Sequence, residues 1–132
     1  MDIDRLRQWI GREEVSDDIL TPSLIARFNA TFDRNDPNPL LIHLCLCLPT
    51  APTQTLGPDG HPKRGGFLPP VPLQRRMWAG GQFTFHAPLT IGAPVQRRSQ
   101  IVDVTAKTGR SGQLGGVRRT RTRLIFPSIT IC

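Results

Sequence analysis

The order of apolar and polar positions divides the chain into a helical first part and a strand-like second part. Ile3, Leu6, Trp9 and Ile10 recur at helical spacing, which predicts a short amphipathic helix over 2–10, closed by Gly11. Residues 13–20 read as a connection or a short strand. Thr21 then Pro22 is a helix start: threonine caps the first free N–H groups, and proline at the first helical position gives up no bond. Leu20 and Ile25 have the spacing of a hydrophobic staple, and Leu24, Ile25, Phe28 and Phe32 share one face. The residue before a proline avoids the helical region, so this helix is expected to stop near Asn35, Asp36 and Pro37. The run PLLIHLCLCL, residues 39–48, is apolar all round. Periodicity does not separate a buried helix from a buried strand there; its length between two prolines favours a central buried helix.

From residue 78 the period changes to two. Phe83, Phe85 and Ala87 fall on one side of a predicted strand, and Gln82, Thr84 and His86 on the other. Gly92, Ala93 and Pro94 make a turn, a second strand runs over about 95–106, and a glycine-bearing hairpin over 107–112 leads into a third from Gln113. Helices followed by an antiparallel meander predict a single α+β domain, one sheet wrapped on a buried helix.

Charge changes this picture modestly. The 132 residues are 38% hydrophobic and carry a formal net charge of +7. Residues 1–114 hold 13 basic residues against 10 acidic ones, while 115–132 add four arginines and no acid. The body is therefore only mildly basic, which suits an anionic ligand. Arg118, Arg119, Arg121 and Arg123 have no aromatic residue interleaved with them, so nucleic acid is disfavoured and a solvated basic tail is expected over 115–132. Arg97 and Arg98 would point to opposite faces of their strand, one of them solvent-exposed. Three cysteines, two of them inside the apolar run, predict free thiols and a cytoplasmic setting. No apolar segment follows a basic start, and no apolar run approaches the roughly 18 residues of a membrane span, so neither a signal peptide nor a membrane partner is expected.

Candidate chemistry collects in two places. His43, Cys45 and Cys47 are metal-ligating types, but nothing near them completes a set of four, and buried thiols beside a structural histidine fit the run better. Residues 49–73 form a long loop with seven prolines, a composition suited to a stiff wall. Arg75, Arg76 and Trp78 follow it directly. A guanidinium pair would clamp an anion and an indole would stack on a planar group; a solvated charge pair beside a core tryptophan is the alternative.

The stretch GPDGHPKRGGFLPPVPLQRRMWAGGQFTFHAPLTIGAPVQRRSQIVDVTAKTGRSGQL, residues 57–114, resembles the N-terminal half of MaoC-like double-hotdog acyl-thioester dehydratases and hydratases. LPPVPLQ and RRMWAGG carry the resemblance, which is nearest to mesaconyl-CoA and itaconyl-CoA hydratases. It implies a hotdog fold and addition or loss of water on an enoyl-CoA or 3-hydroxyacyl thioester, without metal or redox cofactor. It also implies an acyl-CoA partner, with Arg75, Arg76, Trp78 and His86 as substrate-binding residues. The family's catalytic Asp and His lie in a D-x-N-P-x-H motif of the second half. Asp36, Pro37, Asn38 and Pro39 with His43 match it only superficially, so no catalytic residue is carried over. The chain therefore reads as the substrate-binding, non-catalytic half, expected to pair as a homodimer or with a second catalytic hotdog. The ending GGVRRTRTRLIFPSITIC replaces the apolar strand the family has, and would leave a sheet edge open to pairing.

Overall fold

The computed structural model describes residues 1–73, 75–109, 112–124 and 129–131. Helix α1 spans Ile3–Arg7, strand β1 Glu13–Ile19, helix α2 Pro22–Thr31, strand β2 Pro94–Gly109, strand β3 Gly112–Leu124 and strand β4 Ile129–Ile131. The strands lie side by side in chain order as one antiparallel sheet.

Local chemistry sets α2 as expected. Thr21 is extended at φ −98° and its hydroxyl accepts the Leu24 N–H at 3.2 Å. Leu20 and Ile25 both enter the core. The helix ends at Thr31, before the proline boundary, because Asp33 turns into the left-handed region at φ 51°. In α1, Asp2 caps the Arg5 N–H and Leu6 is the buried residue, whereas Ile10 stays 40% exposed.

Two expectations fail. Residues 39–48 do not form a central helix. Only Ile42–Cys45 makes a 3₁₀ turn, flanked by Leu41 at φ 70° and Cys47 at φ 55°. A carboxylate competes for the chain here: Asp18 Oδ2 accepts the Cys47 N–H at 2.7 Å, and the Cys47 thiol donates to the Ser16 carbonyl at 3.5 Å. Nor is the run buried all round. Ile42, His43, Leu46 and Cys47 face inward, while Leu40, Leu41, Leu44 and Leu48 are exposed. The second failure is the predicted strand at 82–87. Phe83, Phe85 and Ala87 are half-buried and Gln82, Thr84 and His86 exposed, so the alternation holds, but the segment is not a strand: it carries a single bridge position at Phe83, and the strand after β1 begins at Pro94. The sheet takes β1 in its place, pairing Glu13 with Gln100 through Ile19 with Pro94.

The 107–112 hairpin closes on the pair Gly109 and Gly112; Arg110 and Ser111 lie outside the described residues. A bulge shifts the register between Ile101 and Asp103. Beyond it β3 runs on to Leu124, so residues 115–124 are sheet and not a free basic tail. Arg119 is half-buried there; burial and the Arg97 charge make its guanidinium easier to deprotonate, Glu14 working the other way. Residues 125–128 and Cys132 lie outside the described residues.

The core has two parts. Leu20, Ile25, Ile42, Leu46, Cys47, Leu89 and Val95 form one, with Phe83 and Phe85 against it; Leu6, Ile101 and Val104 form the other, with Phe67, Leu68 and Val71 from the proline loop. The inward face of β2 is therefore apolar at both ends. Between them sit buried Arg97, 6% exposed, and Ser99, 1% exposed. Arg97 Nη2 reaches Glu14 Oε1 at 3.2 Å, while Arg98 pairs with Glu13 at 3.4 Å on the outer face, so the two arginines do face opposite ways. Among the described residues no helix is long and apolar enough to cross a membrane.

Candidate functional site

Proline supplies only part of the stiffness of the 49–73 loop. Side chains from three regions bind its carbonyls. The Trp9 indole N–H donates to Gly66 at 3.0 Å, and the Arg12 guanidinium, stacked 4.7 Å from the Trp9 ring centroid, donates to Gly66 as well. Arg64 donates to the carbonyls of Val71 and Leu73. The far side of the loop leans on β3. A Cβ on Gly115 would come within 2.9 Å of Val71 Cγ1, so glycine is required for this approach. The loop is thus a pinned wall, because donors satisfy carbonyls whose proline neighbours have no N–H to offer the sheet.

Residues 75–78 leave the end of that wall. The adjacent arginines part company. Arg76 turns back into the loop: its Nε lies 2.8 Å from Asp59 Oδ2 and its Nη2 donates to the Pro62 carbonyl at 2.9 Å. The Nε contact is an ion contact off the hydrogen-bond direction, since that nitrogen has no aligned acceptor among the described residues. Arg75 is exposed and makes no hydrogen bond or ion pair among the described residues. Met77 and Trp78 are 85% and 72% exposed, the Trp78 ring meeting Phe83 edge-on at 6.4 Å. Trp78 is therefore not the core residue of the alternative reading. His86 is exposed on the opposite side of its segment from Phe85, and no hydrogen bond or ion pair among the described residues joins it to the arginines. Exposed cation and indole next to a rigid wall can bind an anion joined to a flat ring.

Asp59 was not singled out by its sequence pattern. The readable signal was the turn GPDG, residues 57–60, which presets it. Gly60 adopts φ 73°, its N–H donates to the Gly57 carbonyl at 3.0 Å, and Asp59 Oδ1 accepts the His61 N–H at 3.2 Å. Partial burial pushes the Asp59 carboxyl up; the His61 N–H and the charges of Arg76 and His61 outweigh it and hold the group below its ordinary range.

His43 lies on the inward side of the apolar run. His43 is 2% exposed, its ring edge-on to Phe83 at 5.4 Å and Phe85 at 5.6 Å. Among the described residues no three His, Cys, Asp or Glu side chains group to hold a metal. Beside His43 a cleft of about 20 Å³, bounded by Asn38, Leu41, Ala87 and Leu89, has room for one water and none for an acyl chain. Asp36 is occupied locally, its Oδ1 accepting the Asn38 N–H at 2.9 Å.

The family profile of hydroxyacyl-thioester dehydratase type 2 matches residues 41–125, the stretch that contains the wall, the 75–78 strip and the long hairpin. Mesaconyl-C(4)-CoA hydratase of Chloroflexus aurantiacus is 47% identical over 117 residues, covering 83% of this chain and 41% of that relative. The chain thus spans less than half the length of the relative it matches.

Proposed function

We infer that this chain, which belongs to the hydroxyacyl-thioester dehydratase type 2 family, is the thioester-binding half of a hydratase acting on enoyl-CoA substrates of the mesaconyl-CoA or itaconyl-CoA kind. In that reaction water adds across the double bond next to the thioester carbonyl: hydroxyl goes to the β carbon and a proton to the α carbon. Dehydration is the reverse. The observation that carries the reading is the family match over 41–125, because the pinned wall and the exposed strip fall within it.

The wall forms one side of an acyl-thioester groove, with Arg75, Trp78 and His86 as its contacts and Arg76 as its prop. The other side, and the acid and base, come from a second hotdog, either a copy of this chain or a catalytic half. Three features support that division. His43 is closed off from solvent, the cleft beside it takes only a water, and Leu40, Leu44 and Leu48 stand exposed where a hotdog would be packed. Cys45 and Cys47 form no disulfide among the described residues, which suits a reducing cytoplasm.

The test combines a hydration assay on mesaconyl-CoA and crotonyl-CoA with a thermal scan of the same samples. The expected result is stabilisation without turnover; a ligand at 100 times its Kd adds about 2.7 kcal/mol. Turnover by the chain alone would refute the non-catalytic assignment and turn attention to Asp36 and His43. No stabilisation by either ester would refute the thioester reading. A pure monomer at tens of micromolar in the ultracentrifuge would refute self-pairing.

A further inference from the structure

We propose that Asp59 and Arg76 form a latch that positions the 75–78 strip, so that of the two neighbouring arginines Arg75 is the cation offered to the nucleotide end of CoA. This rests on the thioester reading above and divides the labour within the same site.

The two arginines are one residue apart and differ in everything but type. Arg76 is spent: ion contact to Asp59 at 2.8 Å, hydrogen bond to the Pro62 carbonyl at 2.9 Å, both partners of the pair about a quarter exposed. Its acceptors are preset. The Gly57 N–H donates to the His61 carbonyl at 2.7 Å, and the carboxylate sits where a Cβ on Gly57 would lie only 3.0 Å from Asp59 Oδ1, so the glycine leaves it room. With Arg76 held, backbone geometry directs the next side chains outward. Arg75, Met77 and Trp78 are exposed in succession, and Ala79, Gly80 and Gly81 follow, also exposed. Gly80 has no atom within 4 Å of where a Cβ would be. The strip is therefore fixed by the latch on one side and by the edge contact of Trp78 with Phe83 on the other. A free guanidinium pairs with phosphate in a two-pronged geometry, and an exposed indole stacks on a base. CoA carries phosphates and an adenine at one end only, so this pair of groups reads the nucleotide and leaves the acyl end to the wall.

The chain has two tryptophans, so Trp9→Phe makes Trp78 the sole emitter. Its fluorescence is followed during titration with CoA and, separately, with pantetheine, which lacks the nucleotide. CoA is expected to change Trp78 emission and pantetheine to leave it unchanged. Arg75→Ala should leave the free-state emission as it was and weaken CoA binding about tenfold, the scale of one charged hydrogen bond. Asp59→Asn should red-shift the free-state emission and weaken CoA binding, with Asp59→Glu restoring both in part. Should Trp9→Phe fail to fold, the same signal is the difference between the wild-type chain and its Trp78→Phe variant. Loss of CoA binding in Arg76→Ala with unchanged Trp78 emission, beside an Arg75→Ala that binds normally, would overturn the assignment. So would an Asp59→Asn that only lowers the melting temperature. CoA without effect on the parent chain defeats the thioester reading itself; the latch is still judged by the free-state emission of Asp59→Asn.

Discussion

Arg97 and Glu14 should respond to mutation with opposite signs. The Arg97 side chain is 7% exposed and Glu14 41% exposed, with Nη2 and Oε1 3.2 Å apart. Among the described residues Arg97 Nε has no acceptor, and Ser99 Oγ, on the same face of β2, has no hydrogen-bond partner either. Across the hairpin the half-buried Arg119 adds a like charge, and its own protonated form is disfavoured by burial first and by the Arg97 charge second. At this separation the attraction is about 5 kcal/mol in a medium of effective dielectric 20, and desolvating the guanidinium costs several kcal/mol in return. The pair therefore comes close to breaking even, and what matters is which half is removed. Glu14→Gln leaves a buried cation with weaker compensation and should lose about 1–2 kcal/mol, between the roughly 0–1 kcal/mol of exposed pairs and the roughly 3–5 kcal/mol of broken buried ones, because Glu14 is partly solvated. Arg97→Met removes the desolvated charge and relieves Arg119, so it should be neutral or stabilising by about 1 kcal/mol. Urea unfolding with unchanged m-value gives both numbers, and a thermal scan should move by on the order of 4 °C per kcal/mol. Should Arg97→Met destabilise more than Glu14→Gln, the balance argued here is wrong and the pair is a net source of stability.

Two further outcomes follow from the caps and the latch. Thr21→Ala should cost about 1 kcal/mol by freeing the Leu24 N–H, while Thr21→Ser stays within a few tenths; urea midpoints and far-ultraviolet dichroism check both. Asp59 has a folded pKa below its ordinary 3.8, so its contribution is complete above that value and is lost as the pH falls through the lower folded one. Trp78 emission should accordingly hold steady from neutral pH to about 4 and change only in stronger acid; a transition near pH 5 to 6 would contradict the latch.

What the sequence made legible was local. Thr21 and Pro22 start a helix because the capping hydroxyl and the missing N–H act within one turn. The partial burial of Phe83 and Phe85 followed from period two even though the segment is not itself a strand, since alternation reports on which side is covered and not on what pairs with the backbone. The opposite faces of Arg97 and Arg98 were likewise readable, but not which one would be buried. Contacts between distant segments were not readable. RRMW presents two equivalent arginines, and only the folded GPDG turn, bringing Asp59 to Arg76, tells them apart. In the basic ending, composition alone describes every arginine as solvated; Arg118 is exposed, whereas Arg119 sits opposite Ile101 in the ladder and is half-buried there.

The failed helix at 39–48 bears on the proposed pairing. A segment apolar on every side is written for burial on every side. Here the inward residues Ile42, His43, Leu46 and Cys47 have their cover, whereas Leu40, Leu44 and Leu48 do not, at 56%, 38% and 63% exposed. Each leucine left in water forgoes up to about 1.5–3 kcal/mol. A helix makes sense for such a run only when something packs on its outer side; without that, the Asp18 carboxylate at the Cys47 N–H can win the end of the segment at little cost. On the proposed reading the outer cover is the second hotdog. Its arrival would bury these leucines, and the same contact would favour the longer helix that the run was read to form. Far-ultraviolet helicity should then rise with protein concentration or on mixing with a catalytic half. Constant helicity through the association would mean that the 3₁₀ turn is the finished structure and that the exposed leucines serve another purpose.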